Sequence, residues 1–166
     1  MTVGRAWVFG DRIDTDVLAP GSLMKLSPRD LASHCLKAVR PEFAERVRPG
    51  DVIVAGEAFG VGSSREQAAI SLKLLGVQAV VAKSFARIFF RNAFNVGLPV
   101  LILDTAGQIA DGDEVSIDLR TGRIEDTSLG RVFQVQPIPE HLMQIIAAGG
   151  LMEHLKRRII GGMSGS

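Results

Sequence analysis

Between Phe59 and Pro99 the chain gathers the residue types needed to hold an organic anion and move a proton. Phe59-Gly60-Val61-Gly62-Ser63-Ser64-Arg65-Glu66 reads as a glycine turn that delivers two serines and an arginine to the start of a helix. Backbone N–H groups at a helix start lack intrahelical partners, and the helix dipole there favours negative charge. Arginine adds a planar fork suited to a carboxylate. A serine hydroxyl serves as a base only if its alkoxide is strongly stabilised, and a helix N-terminus beside a guanidinium supplies that. The plainer reading is that Ser63 or Ser64 caps the helix and Arg65 makes a surface ion pair.

Other chemistries lack their motifs. There is no GxxxxGK[ST] phosphate loop and no GxSxG nucleophile elbow, and Arg65 occupies the third glycine position of a dinucleotide fingerprint. His34, His141 and His154 are scattered without metal-ligand spacing, and Cys35 is the only cysteine. One thiol allows no internal disulfide, which fits a reducing compartment, and it cannot supply the ligands of an iron–sulfur cluster or a structural zinc site.

The elements that must position these residues follow from periodicity and punctuation. Gly4 to Phe9 reads as a first strand, and Gly10 to Leu26 as a long Asp-, Gly- and Pro-rich connection of the kind that carries function. Ser27-Pro28-Arg29-Asp30 starts a helix carrying Leu31, Cys35, Leu36 and Val39. Val52 to Ala55, Val77 to Ala82 and Val100 to Leu103 are apolar strands. They alternate with helices over Arg65 to Leu75, stopped by Gly76, and over Ser84 to Asn95, capped by Ser84. This alternation predicts a parallel layer with covered faces. Val115 to Leu119 and Arg123 to Asp126 form a hairpin, Arg131 to Val135 a last strand, and Pro139 opens the first of two final helices. The reading is one α/β domain over residues 1–160, mainly parallel with an added antiparallel part, and a flexible tail over 161–166.

The 166 residues, 46% hydrophobic and 22% charged, suit one domain with a real core. A net charge of +1 gives no reason to expect nucleic acid or an anionic membrane as partner. No apolar run approaches the roughly 20 residues of a membrane span and the N-terminus has no signal pattern, so a soluble cytoplasmic protein is expected.

Gly62-Ser63-Ser64-Arg65-Glu66, Ala82-Lys83-Ser84-Phe85-Ala86-Arg87-Ile88, Arg91-Asn92-Ala93 and Gly97-Leu98-Pro99 together resemble the aconitase superfamily. Within it the chain is similar to the separate small subunits of 3-isopropylmalate dehydratase and homoaconitase, and Asp11-Arg12-Ile13-Asp14-Thr15-Asp16 resembles a second signature of that family. The resemblance implies a mobile, swivelling β/β/α domain that closes over a large subunit carrying a [4Fe–4S] cluster, as a heterodimer or heterotetramer. It implies dehydration and rehydration of a small hydroxy acid, with leucine biosynthesis as the setting if that acid is isopropylmalate. The isolated chain could also form its own oligomer. By position, Ser63 matches the family's base, Ser64 and Arg65 its substrate-carboxylate contacts, and Asp16 an active-site aspartate that orients charged neighbours. Gln67 and Val61 stand where many relatives have histidine and cysteine.

In archaeal-type relatives one residue of the following loop reads the substrate's side group, apolar for isopropylmalate and arginine for homoaconitate. The alignment places Lys25 there, or Met24 if it slips by one. Lysine favours an extra carboxylate, unless its stem folds to solvent and leaves Leu23, Met24 and Leu26 as an apolar wall. Isopropylmalate leads, and homoaconitate or a methyl-substituted malate is the alternative. A non-catalytic domain that binds an organic anion is a further reading of the glycine loop; a stand-alone serine hydrolase lacks its histidine. Arg87 and Arg91 lie four apart on one helical face, where an ion-paired packing surface is the simplest reading and substrate placement or docking of a large subunit the functional one. Phe85, Phe89 and Phe90 read as core.

Overall fold

The computed structural model of the chain describes residues 2–164. Along the chain run β1 (Val3–Val8), α1 (Thr15–Leu18), α2 (Pro28–Ala32), α3 (Phe43–Arg46), β2 (Val52–Ala55), α4 (Glu66–Leu74), β3 (Ala79–Ala82), α5 (Arg87–Asn95) and β4 (Val100–Ile102). They continue with β5 (Glu114–Asp118), β6 (Arg123–Asp126), β7 (Arg131–Gln134), α6 (Glu140–Ala148) and α7 (Leu151–Ser164). Every residue of β2 and β3 is buried, which is why both read as unbroken apolar runs.

Among the described residues one seven-stranded sheet has the order β4-β3-β2-β1-β5-β6-β7. β1 to β4 pair in parallel, with Trp7 opposite Ile53, Ile53 opposite Val80 and Val80 opposite Val100. β5 joins β1 antiparallel, and β6 and β7 continue antiparallel, so the expected hairpin is the middle of a longer meander. α4 packs against α1, α2 and α5. The Lys73 ammonium donates to the carbonyls of Val96 and Gly149, capping α5 and α6 at the negative ends of their dipoles.

Three local expectations are corrected. The helix begun by Ser27 ends at Ala32 rather than running to Val39. Leu36 turns left-handed at φ 61° and gives its N–H to Val17 O at 2.9 Å, a long-range bond that a continuing helix would forbid. Ser84 does not cap α5, which starts at Arg87 with Ala86 before it; its Oγ accepts the Ala58 N–H at 2.8 Å instead. The last helix continues through Gly161 to Ser164, where composition predicts a flexible tail. The rest of that tail, residues 165–166, lies outside the described residues.

Asp126, at the end of β6, is fully buried. Its Oδ1 accepts the Leu129 N–H at 3.2 Å, while Oδ2 has no hydrogen-bond partner among the described residues. Burial first, and the Asp113 carboxylate beside it, push its pKa up from 3.8 to about 6. Between those two values the folded chain holds a proton that the unfolded chain releases. Stability therefore falls as pH rises through that window and levels off above it. Asp126→Asn keeps an acceptor for Leu129 and turns the second atom into a donor toward Asp113. The expected result is a gain of about 2 kcal/mol at pH 7, at about 1.4 kcal/mol per pKa unit and discounted for the exchanged group. The variant should also lose the downward slope, read by urea unfolding of both proteins at several pH values.

Candidate active site

The C-terminal ends of β1, β2 and β3 release three loops side by side. Gly56 N–H donates to Gly10 O at 3.1 Å and Lys83 N–H to Gly56 O at 3.0 Å. Ligands of open parallel sheets bind outside these strand ends. The first two loops, 10–26 and 56–65, are then stitched together along their length. Arg12 N–H donates to Glu57 O at 2.7 Å, Gly60 N–H to Ile13 O at 2.7 Å, and Thr15 N–H to Val61 O at 2.9 Å.

Two glycines make this approach possible. Gly60 has φ 83°, and a Cβ there would lie 2.2 Å from Cγ of Phe89. Gly62 has φ 118°, and its Cβ would stand 2.9 Å from Thr15 Oγ1. An L side chain at either position meets both backbone strain and a collision.

Each residue of Asp14-Thr15-Asp16 has its own task. Asp14 Oδ1 accepts the Val17 N–H at 2.8 Å and caps α1. Thr15 is buried and abuts Gly62. Asp16 is exposed, and its Oδ1 accepts from Gly21 N–H at 2.8 Å and from Arg65 Nη1 at 3.0 Å. Arg65 Nη1 also donates to Ala19 O at 3.2 Å. The Gly21 N–H and then the Arg65 guanidinium hold the Asp16 carboxyl below the usual carboxylate range. Asp16 and Arg65 are 49 positions apart, and the clasp between them closes the stitched loops.

Arg65 is the residue that precedes α4, and no side chain caps that helix. Ser64 and Ser63 therefore lie one and two residues outside the N-cap, exposed, and neither hydroxyl makes a hydrogen bond among the described residues. The capping role that a bland reading assigns to them is not what they do. Behind them Phe59 pairs with Phe85 in an isolated parallel bridge, and its ring meets Phe85 and Phe89 with centroids 5.9 and 5.2 Å away. Phe89 is buried and Phe85 and Phe90 pack against the core as expected.

Cys35 is fully buried, and burial pushes its thiol pKa well up. No group of three or more His, Cys, Asp or Glu side chains is placed to hold a metal ion among the described residues. No described helix is long and apolar enough to cross a membrane.

Residues 37–105 match the family model of the aconitase C-terminal domain. The methanogen homoaconitase small subunit of Methanothermobacter thermautotrophicus is 50% identical over 98% of this chain and 95% of its own length. This chain belongs to the family of aconitase-type small subunits. The 3-isopropylmalate dehydratase small subunit of Nautilia profundicola is also 50% identical, over 94% of this chain and 95% of its own. A crystal structure of 3-isopropylmalate dehydratase from Methanocaldococcus jannaschii superposes with a TM-score of 0.92 at 47% identity and covers 99% of both chains.

In this family member the loop that follows the aspartates is anchored at its base. Pro20 O accepts from Leu23 N–H and Leu23 O from Leu26 N–H, both at 3.0 Å, which winds a tight turn. Met24 is half-buried against the core, while Lys25 is exposed and makes no ion pair among the described residues. Gly21, at the start of the turn, touches the Arg65–Asp16 clasp directly: a Cβ there would lie 2.7 Å from Arg65 Nη2. Sequence reasoning singled out Asp16 and Arg65 and missed Thr15, Ala19 and Gly21. The signal for Gly21 was the Pro20-Gly21 pair, a turn mark standing five residues after Asp16.

Proposed function

We propose that this chain is the small subunit of a two-subunit cytoplasmic hydro-lyase that interconverts 2-isopropylmalate and 3-isopropylmalate in leucine biosynthesis. The observation that carries the reading is the stitched pair of loops. It holds the Asp16–Arg65 clasp beside a serine-bearing turn at the N-terminus of α4, in a chain homologous along its whole length to such subunits.

Ser63 is the base: its alkoxide takes the proton from the carbon next to the one that loses hydroxyl, and returns a proton on rehydration. Ser64 and Arg65 bind a substrate carboxylate, with the Arg65 donors left over from Asp16 and Ala19. Asp16 orients Arg65 and stays ionised. The leaving hydroxyl needs an electrophile, and a [4Fe–4S] cluster on a large subunit would supply that Lewis-acid chemistry. The donor set here does not fit such a cluster, since a lone buried cysteine cannot ligate it, which supports assigning the cluster to the partner.

Homoaconitate is the second reading, and two observations favour it. A relative named for it is 50% identical, and Lys25 is free to extend toward a third carboxylate. The deciding experiment reconstitutes this chain anaerobically with its cognate large subunit and follows unsaturated-acid formation from isopropylmalate, homocitrate and methyl-substituted malates. Preference for isopropylmalate is expected. Preference for the tricarboxylate would overturn that substrate, and no turnover with an intact cluster would overturn the enzyme reading in favour of anion binding alone. Lys25→Ala should leave isopropylmalate turnover within about threefold, because an exposed lysine contributes no contact to an isopropyl group. A shift in preference away from tricarboxylates in that variant would assign Lys25 the reading of the side group.

A further inference from the structure

We propose that the face of α5 formed by Arg87, Ile88 and Arg91 docks an acidic surface of the cluster-bearing large subunit. The inference rests on the proposed function and assigns a surface to it. Arg87, Ile88, Arg91 and Asn95 are all exposed and, at positions i, i+1, i+4 and i+8, share one side of the helix. Phe89, Ala93 and Phe94 bury the other side.

The exposed side breaks local rules. Arg87 is the first residue of α5, where the helix dipole disfavours a cation, and no acidic residue stands in that first turn to offset it. Arg87 and Arg91 form no ion pair and no side-chain hydrogen bond among the described residues, so the ion-paired packing surface expected from sequence is not formed. Between them Ile88 leaves 49% of its surface open. Such conflicts between local preference and placement concentrate where another molecule completes the surface. Two guanidinium groups around an isoleucine match carboxylates around an apolar patch, and arginine is the cation most used at interface cores.

Position identifies the occupant. The start of α5 is tied to the base of the serine-bearing turn, with Ala86 N–H donating to Phe59 O at 2.9 Å and Phe59 N–H to Ser84 O at 3.1 Å. The face is therefore continuous with the rim of the site that the large subunit must cover to bring its cluster to Ser63.

The test titrates the full-length chain against its cognate large subunit at several salt concentrations. It compares wild type with R87E/R91E and with R157E/R158E, the same charge change on exposed residues of α7 outside the proposed face. R87E/R91E should weaken association at least tenfold and flatten its salt dependence, while R157E/R158E should not. At saturating small subunit, kcat and KM of R87E/R91E should equal wild type. The isolated variant should melt no lower than wild type, since Glu suits the first turn of α5. Unchanged association would overturn the docking face. A raised KM at saturation would make the arginines substrate ligands, and a lowered melting temperature would make them structural; either overturns it as well. If wild type itself pairs with no large subunit, the subunit reading fails, and the docking face falls with it for that separate reason.

Discussion

Ser63→Ala is expected to lower kcat of the reconstituted enzyme on the order of a thousandfold to ten-thousandfold, the range for removing a positioned general base. Three features argue that this loss is chemical. The Ser63 side chain is exposed and makes no hydrogen bond among the described residues, so alanine leaves no buried group unpaired. It lies outside the N-cap of α4, so no helix end is uncapped. The strain and close packing of the turn sit on Gly60 and Gly62, which the substitution does not touch. Thermal stability and association with the large subunit should therefore stay at wild-type values. Ser64→Ala is the contrast: a lost carboxylate contact should appear chiefly as a raised KM, by about tenfold. Anaerobic steady-state kinetics on both variants check the split. Substantial turnover by Ser63→Ala would remove the base assignment, and a large kcat loss in Ser64→Ala alone would transfer it.

Where local chemistry decides, the elements of this fold were legible. The apolar runs of β2 and β3 have no other stable use than a covered parallel layer. Gly76 stops α4 at φ 88°, and Ser27 caps α2 through the Asp30 N–H at 3.2 Å. Legibility failed where a distant group outbid a local one. Ser84 has the composition of a cap, yet the Ala58 N–H, 26 positions away, takes its oxygen. Leu36 suits a helix but is drawn left-handed by its bond to Val17 O. The site divides in the same way. The glycine turn with its serines and arginine could be read for anion chemistry from residue types alone. The Asp16 role came only through family resemblance, and no periodicity marks its pairing with Arg65. Thr15 was passed over because its task, filling the space beside a glycine in another loop, exists only once the loops are stitched.

Arg65→Lys should reduce kcat/KM on the order of a hundredfold, more than a conserved charge would lead one to expect. In the folded chain one guanidinium nitrogen already serves Asp16 and the Ala19 carbonyl. On the proposed reading, the planar fork lets the remaining nitrogens meet a substrate carboxylate at the same time. A lysine ammonium is one point of charge on a flexible stem, and it must choose between the clasp and the substrate. Asp16→Asn separates the two duties. The guanidinium survives but loses its charged tether, so the cost should fall mainly on KM, and binding should become sensitive to the order of loop 10–26. The clasp has a definite pH signature. Because the folded chain holds the Asp16 carboxyl below its ordinary 3.8, whatever the clasp contributes is present above that value and is lost only as pH falls through the depressed one. Acidification from pH 8 to 5 should therefore leave the clasp intact. NMR titration of the Asp16 carboxyl carbon should show its midpoint below that of a free aspartate in wild type and nearer to it in Arg65→Lys. An unshifted wild-type midpoint would mean that Arg65 is not held by Asp16 in solution, and the two-duty account of the arginine would fail with it.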